Sequence, residues 1–367
     1  MPQQSDISFA FHGPDGLAAD VVSFELTEGL SELFKLDLEL SSSDPEWPFQ
    51  SLLDQQALFS ILHDGEVVRR VHGVVSAVTC VGQGFRRGRY RLVMEPLLAR
   101  AALRADWRIY QHLTLPQVIQ EALQRSGITD AELILTKDHA THPFVMQPGE
   151  SDLDFIHRQA AQAGLYYTFA HSETGHRLML GDRVYSHGVV EGGAVCFVAQ
   201  RAGDDDTPCL WSFEYTEQVR TAYVTQRDYS QNHPVYDHES KQRAHGLVHQ
   251  SPDYEVYRYP GRYPGATDTT GKHYTDTHLM ALRADACVMA AEGCDPRLQP
   301  GWAFELEGHP RESWNRGYRV RRLVHRGAQI TSVEEESADA VEGTYYRYRA
   351  ELLPDTVEWK PPHRIKP

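Results

Sequence analysis

Apolar and charged residues alternate at every position between residues 34 and 40, where the sequence reads FKLDLEL. A side-chain period of two is the geometry of a β-strand that buries one face and leaves the other in water. Further strand-like runs are found at residues 7–11, 22–26, 58–62, 67–81 and 89–94. Several short strands at this spacing, separated by turn sequences, predict a β-barrel or a β-sandwich.

Helices interrupt this pattern at three places. Thr114 and Gln117 have the spacing of a capping box, and an amphipathic stripe follows them. Ser151 and Asp154 have the same spacing at the start of a second helix. A third helix is predicted at about residues 276–292. Because these helices are a small part of the chain, the fold class is predicted to be mainly β with α/β insertions.

The second half of the chain returns to strand patterns, at residues 209–228, 302–307, 318–326 and 344–353. Residues 96–104 are ambiguous, because their Ala and Leu content favours a helix while their apolar residues also fit a period of two. The hexapeptide SFELTE at residues 23–28 recurs as SFEYTE at residues 212–217. Chance and a duplicated β-domain are both open explanations of this repeat.

Length and charge restrict the class of protein. With 367 residues, the chain is expected to form two or three domains. Its 36 basic and 51 acidic residues give a formal net charge of −15, which argues against a nucleic-acid binder or a protein that docks on anionic membrane. The N-terminal sequence has neither the cationic nor the apolar segment of a Sec signal, and the five cysteines form no CxxC pair, so cytosolic synthesis with reduced thiols is expected.

Sequence motifs for metals and cofactors are weak. His139 and His142 form an HxxH pair without a third ligand at a recognised spacing, and Asp204, Asp205 and Asp206 lack the rest of a calcium loop. The segment at residues 265–272 imitates a phosphate-binding loop but has the wrong glycine spacing, so a plain loop is expected there. We therefore predict no metal and no cofactor.

The most enzyme-like cluster is Glu150, Asp152, Asp154 and His157, since paired carboxylates near a histidine can carry out acid–base chemistry. A structural explanation is stronger. Acidic residues in the first turn interact favourably with the helix dipole, and Asp154 can close the cap of Ser151.

The region around this helix resembles a known motif. Residues 147–169 match the pattern QxxESDxxFxxRxxxxxGxxYxF of VgrG proteins, the trimeric spikes of bacterial type VI secretion systems. The matching positions include Glu150, Ser151, Asp152, Phe155, Arg158 and Gly164. Further landmarks of the family occur in the expected order: EGLSELF at residues 28–34, RIYQ at 108–111, YPG at 259–261, and LQPGWAF at 298–304 followed by GHP at 308–310, which contribute Gly301, His309 and Pro310. The resemblance implies that these are structural motif residues and that there is no catalytic site.

The resemblance also implies an architecture similar to a phage baseplate hub. Two tube-protein-like β-barrels are expected at residues 1–105 and 183–353, with an α/β insertion at 106–182, a loop-and-helix segment inserted near 240–297 and a proline-rich linker at 354–367. It favours a strand at residues 96–104. Members of the family continue into an OB-fold and a β-prism needle, and both are expected to be absent from this chain.

The expected function is that of a non-enzymatic hub at the base of a type VI spike. The implied partners are two further copies of the chain in the full-length protein, the hexameric Hcp tube, baseplate proteins, and an effector and a PAAR tip through the C-terminal part of the full-length protein. Neither nucleic acid nor insertion into a membrane is expected, and injection would follow assembly in the cytoplasm. Two alternatives are the hub of a related contractile particle, such as a phage tail or tailocin, and a β-rich hydrolase that uses Asp152, Asp154 and His157.

Overall fold

A computed structural model describes residues 7–44, 46–83, 87–199, 207–230, 234–263, 268–329 and 344–363. The aspartates at 204–206 and the start of the phosphate-loop-like segment lie outside these residues. Within them, no helix is long and apolar enough to cross a membrane.

The first six strands close into a ring. They are β1 (Ile7–His12), β2 (Ala18–Gly29), β3 (Glu32–Ser42), β4 (Gln56–His63), β5 (Glu66–Gln83) and β6 (Gly88–Glu95), with a short helix α1 (Phe49–Leu52) before β4. They pair in the order β1-β4-β5-β6-β3-β2, and β2 pairs back to β1. Phe24 fills the centre, since its ring lies 4.8 Å from that of Phe9 and 4.7 Å from that of Phe59. The alternating segment at residues 34–40 therefore lies in β3, with its leucines in this core.

The middle region contains β7 (Ala105–Thr114), α2 (Leu115–Arg125), β8 (Ala131–Ile134), β9 (Thr141–Ser151), α3 (Asp152–Ala163), β10 (Tyr166–His171) and β11 (His176–Gly181). The capping box of Thr114 and Gln117 forms as predicted, and α2 packs on α3. Strands β10, β11 and β8 form one small sheet, and β7 pairs with β9 in another.

The segment before β7 is helical, so the strand that the family resemblance favoured at residues 96–104 is wrong. Leu97–Leu103 forms a 3-10 helix. Residues three apart eclipse one another in such a helix, and accordingly Leu98 and Ala101 are buried together while Leu103 is 79% exposed. A strand would have placed Leu97 and Leu103 on one face.

The remaining elements are β12 (Val195–Phe197), β13 (Cys209–Glu217), β14 (Tyr223–Arg227), β15 (Glu239–Arg243), β16 (Glu255–Arg258), α4 (Asp268–Leu282), β17 (Cys287–Gly293), β18 (Ala303–Glu307), β19 (Gly317–Ala328) and β20 (Tyr345–Pro354). Strands β14 to β16 form a three-stranded sheet against α4. The others pair in the order β19-β18-β12-β13-β17-β20, and β20 pairs back to β19, which closes a second ring.

The third helix lies earlier than the sequence predicted. It ends at Leu282, and Cys287–Gly293 is a strand in which Met289 and Ala291 are buried and Ala290 is exposed. The Ala-rich composition of residues 276–292 favours a helix, but pairing with β13 and β20 on both sides overrides that propensity. The plain loop predicted at residues 265–272 is also wrong from Asp268 onward, where α4 begins.

The two rings have identical neighbours when their strands are numbered in chain order. In both, the first strand pairs with the second and fourth, the third with the second and sixth, and the fifth with the fourth and sixth. The hexapeptide repeat lies on the second strand of each ring, since SFELTE is in β2 and SFEYTE is in β13. Both strands have a register shift immediately before the repeat, between Val21 and Ser23 and between Leu210 and Ser212.

A second short sequence repeat also lies on corresponding strands of the two rings. Arg89-Tyr90-Arg91 in β6 and Arg347-Tyr348-Arg349 in β20 lie on the sixth strand of each ring. Tyr90 lies opposite Leu40 of the third strand, and Tyr348 lies opposite Gly293. Two sequence repeats at matching places in matching topologies are more than chance provides, so the structure favours duplication.

The rings join edge to edge. β2 pairs antiparallel with β19, from Gly29 opposite Arg322 to Ser23 opposite Ala328. Buried side chains from both rings form one continuous hydrophobic cluster. A second cluster fills the middle region, and a small third one contains Leu30, Tyr166, Val184, Leu353 and Trp359. Among the described residues, the rings thus share one main core and the middle region has its own.

Candidate functional site

The motif shared with the spike family lies where β9 turns into α3. Ser151 is the N-cap of α3: its Oγ accepts a hydrogen bond from the Asp154 N–H at 3.0 Å and donates one to Asp154 Oδ2 at 2.7 Å. The Asp152 N–H donates to the carbonyl of Arg104 at 2.8 Å. The start of α3 is therefore fixed both by its own cap and by the end of the preceding 3-10 segment.

Glu150 and Arg158 form a buried ion pair beside this cap. The Arg158 Nε donates to Glu150 Oε2 at 3.0 Å, and a second nitrogen contacts the other carboxylate oxygen. The same guanidinium donates to the Met146 carbonyl at 3.1 Å and lies 5.5 Å from the Phe155 ring centre. Since both charges are buried, the pair fixes how α3 crosses β9.

Asp152 is held by three groups from different elements. The Gln147 amide donates to its Oδ1 at 2.8 Å, Ser126 Oγ donates to Oδ2 at 3.1 Å, and Arg104 lies 3.6 Å away. Phe155, one turn on, stacks on Tyr110 with ring centres 5.4 Å apart. These contacts tie α3 to β7, β9 and the end of α2.

Gly164 ends α3 with a φ of 72°, a left-handed conformation that favours glycine. A Cβ at this position would lie 2.8 Å from Thr277 Cγ2 of α4. The glycine therefore both terminates the helix and lets α4 approach it.

The residues of the alternative acid–base site hydrogen-bond to different partners. His157 Nε2 hydrogen-bonds to the Tyr167 hydroxyl at 2.8 Å, whereas Asp154 binds Ser151 and Asp152 binds the Gln147 amide. The three side chains thus make three separate structural contacts. This geometry favours the structural explanation of the motif.

The second landmark lies in the second ring. Gly301 has a φ of 87°, and a Cβ there would lie 2.7 Å from His187 Cδ2. The His309 ring lies 4.6 Å from that of Phe197 and 4.8 Å from that of Trp314, and the backbone N–H of His309 donates to Asn315 Oδ1 at 2.8 Å. Pro310 follows in the same turn, between β18 and β19.

A buried charge cluster that was not predicted from the sequence lies at the contact between the rings. We call it the junction cluster, and it contains Glu28, Arg69, His325 and Tyr346. Glu28 is ion-paired with Arg69 and lies 2.8 Å from His325 Nε2, while His325 Nδ1 lies 2.8 Å from the Tyr346 hydroxyl. Arg69 also donates to the Leu298 carbonyl at 2.7 Å. The cluster thus connects strands of both rings.

Burial alone would raise the pKa of Glu28, but the Arg69 and His325 side chains lower it to about 2. Burial lowers the pKa of His325 and raises that of Tyr346. One signal in the sequence pointed to this site. Glu28 has the same alternation as Phe24 and Leu26, so a period of two places its carboxylate on the buried face.

Histidines cluster where the first ring meets the middle region. The His72 N–H donates to His171 Nδ1 at 3.1 Å, and His72 Nδ1 lies 3.4 Å from His176 Nδ1. The Leu97 N–H donates to His176 Nε2 at 3.0 Å. Burial lowers the pKa of His171 to about 3 and that of His176 to about 4.

The predicted HxxH pair does not converge on one point. His142 Nε2 lies 2.8 Å from the Tyr274 hydroxyl, whereas the His139 ring lies 5.8 Å from that of His273. Among the residues with described positions, no group of three or more His, Cys, Asp or Glu side chains could hold a metal ion.

Comparison with known proteins identifies similar chains. The family model described as phage tail baseplate hub (GPD) matches residues 27–331. Two proteins of Pseudomonas aeruginosa named type VI secretion system spike proteins VgrG2b and VgrG2a are 45% and 44% identical to this chain over 360 residues. Each match covers 98% of this chain, but the chain spans only 35% and 42% of the length of these relatives.

The fold is similar to that of a solved bacterial protein. The E. coli c3393 protein, described as a component of the type VI secretion system with structural similarity to phage T4 gp27 and gp5, aligns with a TM-score of 0.71 and 18% identity. The alignment covers 98% of this chain and 80% of the other. The fold is therefore mainly β and of the phage tail hub type, and the resemblance to VgrG noted in the sequence is confirmed.

Proposed function

The chain belongs to the phage tail baseplate hub family, and we propose that it forms the hub-like base of a type VI secretion spike. The observation that carries this proposal is the repeated ring: the second ring has the strand pairing of the first, with both short repeats in matching places. Two equivalent rings per chain suit a protein that must present a six-fold face from three copies.

We propose that the rings are the two tube-like barrels, within the divisions expected from the sequence: residues 1–105, 106–182, 183–353 with its inserted segment, and the linker at 354–367. The closed pairing of each ring supports this division, because closure pairs each of its strands with two neighbours of the same ring. The middle region would then hold the two rings at a fixed angle through the motif helix.

Three chains would present six barrels to a hexameric Hcp ring, cap the tube and template its growth. Baseplate proteins would hold this hub, and an effector and a PAAR tip would be carried by the longer protein. Assembly would take place in the cytoplasm, and sheath contraction would then export the complex. The action is mechanical and needs no bond-making step, which agrees with the structural contacts of Asp152, Asp154 and His157.

A second candidate is the hub of a related contractile particle, such as a phage tail or tailocin, and the family description favours it. Isolation of the tagged protein from its cells separates the two. A type VI hub should bring down sheath and membrane-complex proteins together, whereas a hub of a free particle should bring down tail proteins without a membrane complex.

The test of capping uses purified Hcp hexamer as the probe. Mixed with the chain over a series of salt concentrations, Hcp should form a complex with three chains per hexamer, as measured by sedimentation velocity. Added salt should favour three-chain association, because it screens the repulsion between chains that each carry a charge of −15. Absence of a complex at every salt concentration, or one chain per hexamer, would contradict the proposal.

A further inference from the structure

We propose that the outer part of β5 pairs, antiparallel, with the outer part of β13 from a second copy of this chain. The inference rests on the proposed three-chain assembly and specifies which strand edges join the copies and in what register. It follows from the internal repeat of the molecule.

The contact between the two rings within one chain serves as the template. β2 pairs with β1 only between Ala18 and Asp20, and then leaves it. β19 pairs with β18 only between Gly317 and Arg319. The freed parts of β2 and β19 pair with each other instead. The second strand of one ring thus joins the fifth strand of the other.

The two counterparts of these strands have open edges: β13 is the second strand of the second ring, and β5 is the fifth strand of the first ring. β13, the second strand of its ring, pairs with β12 only through Cys209 and Leu210, although β17 follows it to Glu217. β5, the fifth strand of its ring, pairs with β4 only as far as Val74, although β6 follows it to its end. Among the residues that the structure describes, no strand pairs with the other side of either segment.

Open strand edges are templates for pairing with another chain. The β5 edge has the composition of such a template, since Val78, Thr79 and Val81 are β-branched and Val81 is 50% exposed. It lacks the Lys, Pro or inward-pointing charge that normally protects an exposed edge.

Charge also favours this partner. The β13 edge carries Glu214 and Glu217, whereas β5 has no acidic residue from Ser76 to its end. The exposed Arg91 lies opposite Thr79 on the neighbouring strand β6. An acidic edge on one copy would therefore meet a neutral edge beside a basic side chain on the next.

The repeat fixes the register. Thr79 lies opposite Arg91 in the first ring, as Val324 lies opposite Arg349 in the second, so Thr79 corresponds to Val324. Val324 in turn lies opposite Thr27 across the internal contact, and Thr27 corresponds to Thr216 in the hexapeptide repeat. Thr79 of one copy should therefore lie opposite Thr216 of the next.

The rings differ beyond that point, because β5 has a register shift between Cys80 and Gly82 that β19 does not share. The transferred register thus applies to residues 77–80. The contact is head to tail, since it joins the second ring of one copy to the first ring of another. Contacts of this kind form closed rings when the rotation between copies permits closure.

The test is disulfide trapping with Thr79→Cys and Thr216→Cys in one chain, in a Cys80→Ser background. Both threonines are exposed, so the variant should fold normally. Side chains directly opposite on paired strands have Cβ atoms roughly 5 Å apart, close to what a disulfide needs. The matched control replaces Glu214 instead of Thr216, on the same face but two residues out of register.

We expect mild oxidation to link copies of the in-register variant, up to covalent trimers on a non-reducing gel, several-fold more than copies of the control. Equal linking in both variants, or none in the in-register variant, would overturn the inference. Sedimentation of the reduced protein over a salt series distinguishes a wrong assignment of the strand edges from a wrong three-chain assembly. If it detects trimers without preferred in-register linking, only the assigned edges are wrong; if the chain is monomeric throughout, the three-chain assembly is wrong as well.

Discussion

The two rings share all their pairings but differ in how they are closed. The first strand of the first ring, β1, runs antiparallel to both neighbours and pairs with β4 along its whole length. Its counterpart β12 spans only Val195–Phe197 and runs parallel to both neighbours. The second, third, fifth and sixth strands keep antiparallel pairing with one another in both rings, and the contact between the rings uses the second strand of one and the fifth of the other. The first strand only completes the ring, and its length and direction can vary.

The two kinds of contact between rings also differ. Within a chain, the junction cluster buries charges between β2, β5 and β19, and an exposed pair, Glu25 and Arg326, lies 2.7 Å apart near it. In the proposed contact between copies, Glu217 corresponds to Glu28 and Cys80 to His325, so the acid would meet no histidine. We therefore expect the contact between copies to be the weaker one, dependent on salt and concentration.

The largest expected effect comes from breaking the junction cluster. Arg69→Met leaves the Glu28 carboxylate buried without its main partner, which should lower the free energy of unfolding by about 3–5 kcal/mol. Urea denaturation measures this loss. Arg326→Gln is the control, because it removes a half-exposed pair at the same contact and should cost at most about 1 kcal/mol. Similar losses in the two variants would mean that burial does not distinguish the pairs.

Acid should weaken the contact between the first ring and the middle region. His171 and His176 take up a proton near pH 6.5 when unfolded but only at about pH 3 and pH 4 when folded. Between these values the unfolded chain binds more protons, so stability is full above pH 6.5 and falls as the pH decreases. At pH 5 the loss should be about 2 kcal/mol for each histidine.

Urea denaturation at pH 7 and pH 5 tests this. The Glu28 carboxylate titrates in a different range, because its lowered pKa of about 2 makes its contribution disappear only below about pH 4.5. A free energy of unfolding that is unchanged between pH 7 and pH 5 would contradict the burial of these histidines.

The fifth strands of the two rings, β5 and β19, each contain a glycine, and these two glycines differ in how tightly they are packed. A Cβ at Gly327 of β19 would overlap with Phe24 Cε1, whereas a Cβ at Gly82 of β5 would meet nothing within 4 Å. Gly327→Ala should therefore destabilise the fold by about 1–3 kcal/mol through overpacking. Gly82→Ala should leave the thermal midpoint of the monomer unchanged. A loss of stability in Gly82→Ala would show that β5 is already covered within one chain.

The smallest expected loss of stability comes from a change in the middle region, outside both rings. Ser151→Ala removes the cap of α3 and should cost about 1 kcal/mol. It should impair assembly only to the extent that it impairs folding, which comparing thermal unfolding with Hcp binding would show. A fully stable Ser151→Ala protein that cannot assemble would assign the motif a direct role in binding.

The sequence predicted local features well and distant contacts poorly. The alternation at residues 34–40 and the caps at Thr114 and Ser151 depend on neighbouring residues, and all three are present. The helix predicted at residues 276–292 is wrong beyond Leu282, because strand pairing from distant segments outweighs local propensity there. The junction cluster joins Glu28 to His325, which are 297 positions apart, so no local pattern could bring them together. The hexapeptide repeat was a long-range signal in the sequence, but the sequence could not distinguish it from chance until the shared topology of the two rings was known.

If the two rings are equivalent, three chains place six of them around one axis. Electron microscopy of the assembled protein at high salt, viewed along that axis, would show this arrangement. We expect six evenly spaced lobes, because the contact between copies repeats the contact within a chain. Three lobes, or six lobes grouped into separated pairs, would contradict it.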